Sequence, residues 1–341
     1  MSTLTEVANE ANVSATTVSR VINDSDKVNP DTRDRVLKAM RKLNYRPSRV
    51  AQRLRGKKGR SKLLGVIIPD IQNQYYSSIA RGIEDVAYNK DYAVILCNSD
   101  ENPDRERFYL DVLQAESVDG VILPPIHQYG TAVEGIIDTG IPVVCVDRKF
   151  AKQSVDTVVI NNKKGAYSAT SHLIDLNHKR IGIITSSPQF SSFQERQEGY
   201  EQALKDHDIP VNNSLIKEGD PRNSETARKL TLELLQLDSA PTALFITNNL
   251  MTLGVLKALK QQNFVVPDDI SIVMFDDMPW AQIMTPPLTV VRQPGYEMGR
   301  RAAELIFQRI ADSERETVEV TMNPELIVRK STGGYKRDNE R

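Results

Sequence analysis

From residue 63 to residue 275 the chain alternates short, unbroken apolar runs with longer amphipathic ones, and that alternation leaves few folds open to it. Strands are expected at 63–68, 93–97, 120–123, 143–146 and 157–160, and a second set at 180–185, 243–247 and 270–275. Helices are expected among them at 79–89, 103–115, 163–176, 196–206, 225–237 and 250–262. A strand apolar at every position must be covered on both faces, so the pattern predicts doubly wound parallel sheets, and two sets predict two lobes. The tail adds a helix at 296–311 and strands at 318–322 and 326–328. At 341 residues the chain exceeds one ordinary core, which fits a small domain joined to a large bilobed one.

Open parallel sheets bind ligands outside the carboxyl ends of their strands. That rule marks the loops 70–76, 98–102, 186–196 and 276–280, together with Asp147, Arg148, Asn248 and Asn249. Tyr75, Tyr76, Arg196, Asp276 and Trp280 fall in the same loops. Arginines, carboxylates, amides and aromatic rings together suit a small hydroxylated or anionic ligand clamped between lobes.

The net charge of −1 hides an asymmetry: residues 1–60 hold 14 Lys and Arg against 6 Asp and Glu, leaving 30 against 39 in the remainder. A basic head on an acidic body predicts a nucleic-acid-binding module. Thr3 and Glu6 form a capping box for a first helix running to about Glu10, with Val7, Ala8 and Ala11 on one face. Asn12 tolerates the left-handed backbone of a tight turn, and Ser14 caps a second helix that buries Val18, Val21 and Ile22. That helix turns Ala15, Thr16, Ser19 and Arg20 outward, a small hydroxyl-rich face with one arginine that suits a major groove. A third helix opens at Asn29-Pro30, and Val36, Leu37, Met40 and Leu43 are expected to close the core.

Between head and body lies Arg46-Pro47-Ser48-Arg49-Val50-Ala51-Gln52-Arg53-Leu54-Arg55, with Pro47 and Ser48 as a start signal and Gly56 as a stop. A helix so short is marginal alone. Its arginines point to a polyanion as the surface it folds against, and its apolar face, which includes Leu54, fits a minor groove pried open by an inserted side chain.

The strings Thr16-Thr17-Val18-Ser19-Arg20-Val21-Ile22-Asn23 and Asn44-Tyr45-Arg46-Pro47-Ser48, with Ala51 and Leu54-Arg55, resemble the lactose-repressor/galactose-repressor family of bacterial transcription regulators. The resemblance implies that the short segment is a hinge helix and that Ala15, Thr16, Arg20 and Leu54 meet base edges. It implies phosphate contacts from Thr5, Ser14, Thr17 and Tyr45. It also implies a periplasmic-binding-protein-like core in which the tail crosses back, so that each lobe is built from discontinuous chain, and an effector site using Tyr75, Tyr76, Arg196 and Asp276. Departures fall at Asn12, where glycine is usual, at Gln74, where many members have proline, at Asn249, where most have aspartate, and at Pro221, near an aromatic platform of some members.

The expected organisation is a helix-turn-helix domain at 1–46, hinge helix and linker at 47–60, a bilobed core at 61–332 and a polar tail at 333–341. Lobe 1 takes about 61–160 plus 293–322, and lobe 2 about 161–292 plus 323–332. The function expected is a ligand-responsive, sequence-specific DNA-binding transcriptional regulator, a repressor in sense, working as a homodimer on pseudo-palindromic operator DNA with a sugar or sugar derivative as effector between the two lobes. A solute-binding protein shares such a core, but the basic head and the lack of a secretory pattern argue against it; a catabolite-control-type regulator driven by a phosphoprotein partner is the second alternative. No apolar run approaches the roughly 20 residues that span a bilayer, so a cytoplasmic protein is expected, on the nucleoid when DNA-bound. Four scattered histidines, no phosphate loop and no nucleophile elbow argue against an enzyme. Cys97 and Cys145 sit in apolar runs without metal-ligand spacing, and neither a metal nor a cofactor is expected.

Overall fold

The computed structural model describes residues 2–22, 27–45, 60–151 and 155–335. The chain divides into two compact units, Met1–Ser61 and Lys62–Arg341. In the first, α1 (Leu4–Glu10), α2 (Ala15–Ile22) and α3 (Pro30–Lys42) enclose Val7, Ala8, Ala11, Val18, Val21, Val36 and Ala39. The capping box forms as its spacing predicts: Thr3 Oγ1 accepts from Glu6 N at 3.2 Å and Glu6 Oε2 from Thr3 N at 2.7 Å. Asn12 has φ 52°, the turn conformation expected of it. Leu37 corrects the expected core, because it is 38 % exposed and Ala39 is buried instead. Positions 36, 39, 40 and 43 share one helical stripe, and 37 lies about 100° round from 36. The segment 46–59, including the hinge-helix residues and Leu54, lies outside the described residues.

The second unit holds two six-stranded sheets. Sheet 1 runs β11–β5–β4–β3–β1–β2 and is parallel throughout. Its strands are β1 (Leu63–Ile68), β2 (Ala93–Asn98), β3 (Gly120–Leu123), β4 (Val143–Val146), β5 (Asp156–Ile160) and β11 (Glu319–Met322). Sheet 2 runs β12–β10–β9–β8–β6–β7, with β6 (Ile181–Thr185), β7 (Ile216–Glu218), β8 (Ala243–Ile246), β9 (Ser271–Phe275), β10 (Thr289–Arg292) and β12 (Glu325–Ile327). It is parallel except that β12, a short edge strand from the tail, pairs antiparallel with β10, so both lobes carry the doubly wound, mostly parallel sheets expected. The chain passes from sheet 1 to sheet 2 after β5, returns after β10, and crosses once more to β12.

The helices are α4 (Gln74–Tyr88), α5 (Pro103–Ala115), α6 (Thr131–Asp138), α7 (Asn162–Asp175), α8 (Ser191–Asp206), α9 (Ser224–Leu235), α10 (Asn249–Gln261), α11 (Pro279–Ile283) and α12 (Gly295–Ala311). Helix α4 begins five residues before its expected start because the Asn73 side chain caps it, accepting from Tyr75 N at 3.1 Å. Four elements escaped the apolar pattern. Edge strand β7 carries one apolar residue, β10 spans four residues, α6 lies among glycines 130, 135 and 140, and α11 is a single turn. Helix α12 lies so close on α4 that a Cβ at Gly299 would sit 2.0 Å from the Ile79 carbonyl oxygen, so glycine is required there for backbone contact.

The expected polar tail begins too early. Gly333 N donates to Ser271 Oγ at 3.0 Å and Tyr335 N to Leu176 O at 2.8 Å, which binds 331–335 into lobe 2. Ser331 Oγ anchors this strap by donating to Ile272 O and accepting from Thr289 N, both at 2.7 Å. These are polar contacts that hydropathy does not register.

Candidate functional site

The segments that follow β1, β2, β4, β6, β7, β8, β9 and β10 converge on one cleft between the sheets, as the carboxyl-end rule requires. From sheet 1, Asp147 takes a left-handed backbone (φ 68°) and accepts from Tyr75 Oη at 2.7 Å and Tyr76 Oη at 3.0 Å. Burial first, and Asp147 beside them, push both phenols well above their ordinary pKa, so they stay protonated donors. Arg148 is 2 % exposed and forms a bidentate pair with Glu101, Nη1 to Oε2 at 2.8 Å and Nη2 to Oε1 at 2.5 Å. Burial works against its charge, but Glu101 more than offsets this and raises its pKa. Its guanidinium stacks on the Phe190 ring at 4.6 Å, and its buried Nε has no hydrogen-bond partner.

From sheet 2, Arg196 lies inside helix α8, which starts five residues before the expected helix at 196–206 and so takes up the end of the loop expected at 186–196. A helical side chain is held at fixed direction, and Arg196 Nε donates to Asn162 Oδ1 at 2.8 Å while Nη1 donates to the Thr247 carbonyl at 2.6 Å. The guanidinium lies 3.8 Å over the Phe275 ring. Asp276, with φ 77°, accepts from Asn249 N at 3.2 Å and from Gln293 Nε2. Burial raises its pKa although Arg196 pulls the other way. Asn248 caps α10, accepting from Met251 N at 2.8 Å, and donates to Pro221 O at 2.9 Å. Asn249 reaches across the cleft to Asn73, and its own Oδ1, like Gln293 Oε1, is buried without a partner.

The cleft therefore brings together Tyr75, Tyr76, Asp147, Arg148, Arg196, Asn248 and Asp276, with Asn249 bonded to its rim. Trp280 does not join them: it is half-buried on α11, packed on the hydrophobic core, and does not line the cleft. Glu101, Arg222 and Gln293 do line it. Glu101 falls in a loop the carboxyl-end rule had marked, whereas Gln293 follows the unrecognised strand β10 and Arg222 the unrecognised strand β7. Unpartnered amide oxygens accept and cleft guanidinium groups donate, an arrangement suited to hydroxyl groups, which do both.

In the head, Ala15, Thr16 and Arg20 are exposed along α2. Thr17 is half-buried, its Oγ1 2.9 Å from Ser14 Oγ, and Thr5 and Ser14 are exposed. Tyr45 packs partly against the head's core. Among the described residues no helix is long and apolar enough to cross a membrane.

The profile of bacterial regulatory proteins of the lacI family matches residues 3–48, and that of a periplasmic binding protein-like domain matches residues 170–332. The HTH-type transcriptional repressor PurR of Photobacterium profundum is 34 % identical over 336 residues, covering 97 % of this chain and 98 % of the relative. The lac repressor dimer bound to operator and the anti-inducer ONPF superposes with a TM-score of 0.85 at 26 % identity, covering 97 % of this chain and 99 % of that one. The complex of the transcriptional regulator CelR with cellobiose gives a TM-score of 0.74 at 29 % identity, covering 97 % and 100 %.

Proposed function

The chain belongs to the lacI family of bacterial regulatory proteins, and from that membership we propose how this DNA-binding transcriptional regulator reads its operator and its effector. The protein is a regulator and not an enzyme. Base readout falls to Ala15, Thr16 and Arg20 on α2, with Leu54 as minor-groove wedge. Phosphates are held by Thr5, Ser14, Thr17 and Tyr45. The working form is a cytoplasmic homodimer on a pseudo-palindromic operator, at the nucleoid when bound, organised as the domains and lobes set out from the sequence, with lobe 2 extended to 335. Dimeric assembly on operator in the lac repressor neighbour supports this reading.

The effector is a sugar or sugar derivative in the interlobe cleft, contacting Tyr75, Tyr76, Asp147, Arg148, Arg196, Asn248, Asn249 and Asp276. One observation carries this reading: Asp147, Arg196 and Asp276 are all under 5 % exposed yet line one cavity, a set of desolvated hydrogen-bonding groups. The cellobiose complex of CelR adds support. The effector acts on DNA affinity by favouring one lobe arrangement over another. Operators selected from random duplex DNA should be pseudo-palindromic, and gel-shift titration should show a sugar-dependent change in affinity. Selection of a non-symmetric site, or affinity indifferent to every sugar tried, would overturn the respective half of the proposal.

A further inference from the structure

Three apolar side chains of the body are buried apart from its larger hydrophobic clusters. Ile126, in the segment after β3 of lobe 1, packs with Phe190 and Phe193, at the start of α8 in lobe 2. They are 2 %, 6 % and 5 % exposed, and among the described residues their cluster joins neither of the two larger ones. Phe193 lines the cleft and Phe190 the crevice outside it, so the contact stands between the two spaces. Each ring is buried because the other lobe meets it.

The choice of residue at 190 points the same way. Phe190 is the N-cap of α8 and makes no side-chain capping hydrogen bond. N-caps favour Ser, Thr, Asp and Asn, whose oxygens accept from first-turn amides, and a phenyl ring can do nothing of the kind. Here it joins the cluster with Ile126 instead. On the lobe 1 side, Ile126 is fixed by its own backbone, whose N donates to the buried Glu106 carboxylate at 3.0 Å. Arg148 of lobe 1 adds its guanidinium to the Phe190 ring at 4.6 Å.

Two hydrogen bonds join the lobes elsewhere on the rim, Asn249 to Asn73 and Arg222 to the Asp100 carbonyl. Within these ties the cleft encloses about 40 Å³, room for about three water molecules. Interlobe hydrogen bonds are exchanged for bonds to water when lobes part, with little net change, whereas exposed apolar surface gains no such replacement. The apolar trio therefore carries the larger share of the resistance to opening.

We propose that Ile126, Phe190 and Phe193 form an apolar latch that holds the lobes shut in the effector-free protein, and that opening this latch is the change that alters operator affinity. Closure then needs no ligand, and the apparent affinity of any cleft ligand is lowered in proportion to the fraction of molecules that stand open. The proposal rests on the reading that lobe arrangement sets DNA affinity; it does not depend on the effector being a sugar.

The test uses the full-length protein with no effector present. Phe190→Ala and Ile126→Ala each remove apolar contact between the lobes, which should shift the ratio of shut to open molecules by about ten- to a hundredfold. Small-angle scattering should give both a larger radius of gyration than the parent, and operator affinity should move several-fold with it. Phe190→Leu, which keeps an apolar side chain, should fall between parent and Phe190→Ala, and it carries the test if the alanine variant does not fold. Val133→Ala is the control, since Val133 is buried in a cluster drawn wholly from lobe 1. It should lower the melting temperature and leave radius and operator affinity at the parent's values. Equal radii for the parent and the three latch variants overturn the latch. So does an equal expansion of Val133→Ala, because the expansion is then a loosening of one lobe. Larger radii with unchanged operator affinity leave the latch standing and overturn both its control of DNA binding and the reading that lobe arrangement sets that affinity.

Discussion

Asn249 Nδ2 donates to Asn73 Oδ1 at 2.8 Å, a direct hydrogen bond from the first residue of α10 in one lobe to the residue that caps α4 in the other. Asn73 Oδ1 serves twice, since it also accepts from Tyr75 N at 3.1 Å. The cap fixes the turn that carries Tyr75 and Tyr76, and the same oxygen ties that turn to the opposite lobe. Asparagine is needed at 249 because a carboxylate there has no hydrogen to donate.

Asn249→Asp should therefore open the cleft. It sets an anionic oxygen against Asn73 Oδ1 and close to Asp276, whose carboxylate already accepts from the residue 249 amide. The bond is part-buried, and leaving a polar group there unpaired costs up to about 1–3 kcal/mol. Small-angle scattering of the sugar-free protein should show a larger radius of gyration, with a lower melting temperature. Superimposable scattering curves would mean that this bond does not hold the lobes together.

Arg20→Ala should relax base preference at one position of each half-site at a cost of about 1–3 kcal/mol, because Arg20 is exposed on α2 and makes no contribution to the head's buried core. Binding to operators varied one base pair at a time measures this. A loss spread evenly over all variants would make Arg20 a phosphate contact.

Arg196→Ala and Asp276→Ala should each weaken the sugar by ten- to a hundredfold, the equivalent of roughly 1–3 kcal/mol for a buried partner left unpaired. Coupling between two ligands is reciprocal, so each variant must lose the sugar's influence on operator affinity in the same concentration range. Operator titration with and without the tightest-binding sugar checks it. Variants that respond at the parent's sugar concentration would place the effector elsewhere.

Glu106 on α5 is 3 % exposed, accepts from Ile126 N at 3.0 Å, and is pushed by burial from 4.5 up to about 7. Between those two values the folded chain holds a proton the unfolded chain has released. Stability therefore falls as pH rises through that window, by about 3 kcal/mol, and levels off above it. Glu106→Gln keeps an oxygen for the Ile126 amide and removes the charge. Urea unfolding should find the variant close to the parent at pH 4.5 and more stable by about 1–3 kcal/mol at pH 8. Equal stability at both would show that Glu106 is solvated when ionised.

Elements whose signal is local are legible in the order of the amino acids alone. The Thr3 and Glu6 capping box, the left-handed Asn12, the Asn29-Pro30 start of α3 and strands β1, β3 and β4 follow from nearest-neighbour stereochemistry and unbroken apolar runs, and each forms where those rules put it. The carboxyl-end rule likewise found the segments bearing Tyr75, Asp147 and Asp276, because side chains at strand ends converge whatever their neighbours are. Tertiary structure decided the rest. Edge strand β7 is stabilised by its ladder with β6 rather than by its own composition, and β10, though β-branched and buried, is too short to stand out until it pairs with β9. The strap at 331–335 is held by polar atoms of Ser271 and Leu176, residues 62 and 159 positions away along the chain from Gly333 and Tyr335. Trp280 turned to the core and Glu101 to the cleft for a similar reason: local propensity sets where a side chain starts, and the partner it meets across the fold sets where it ends.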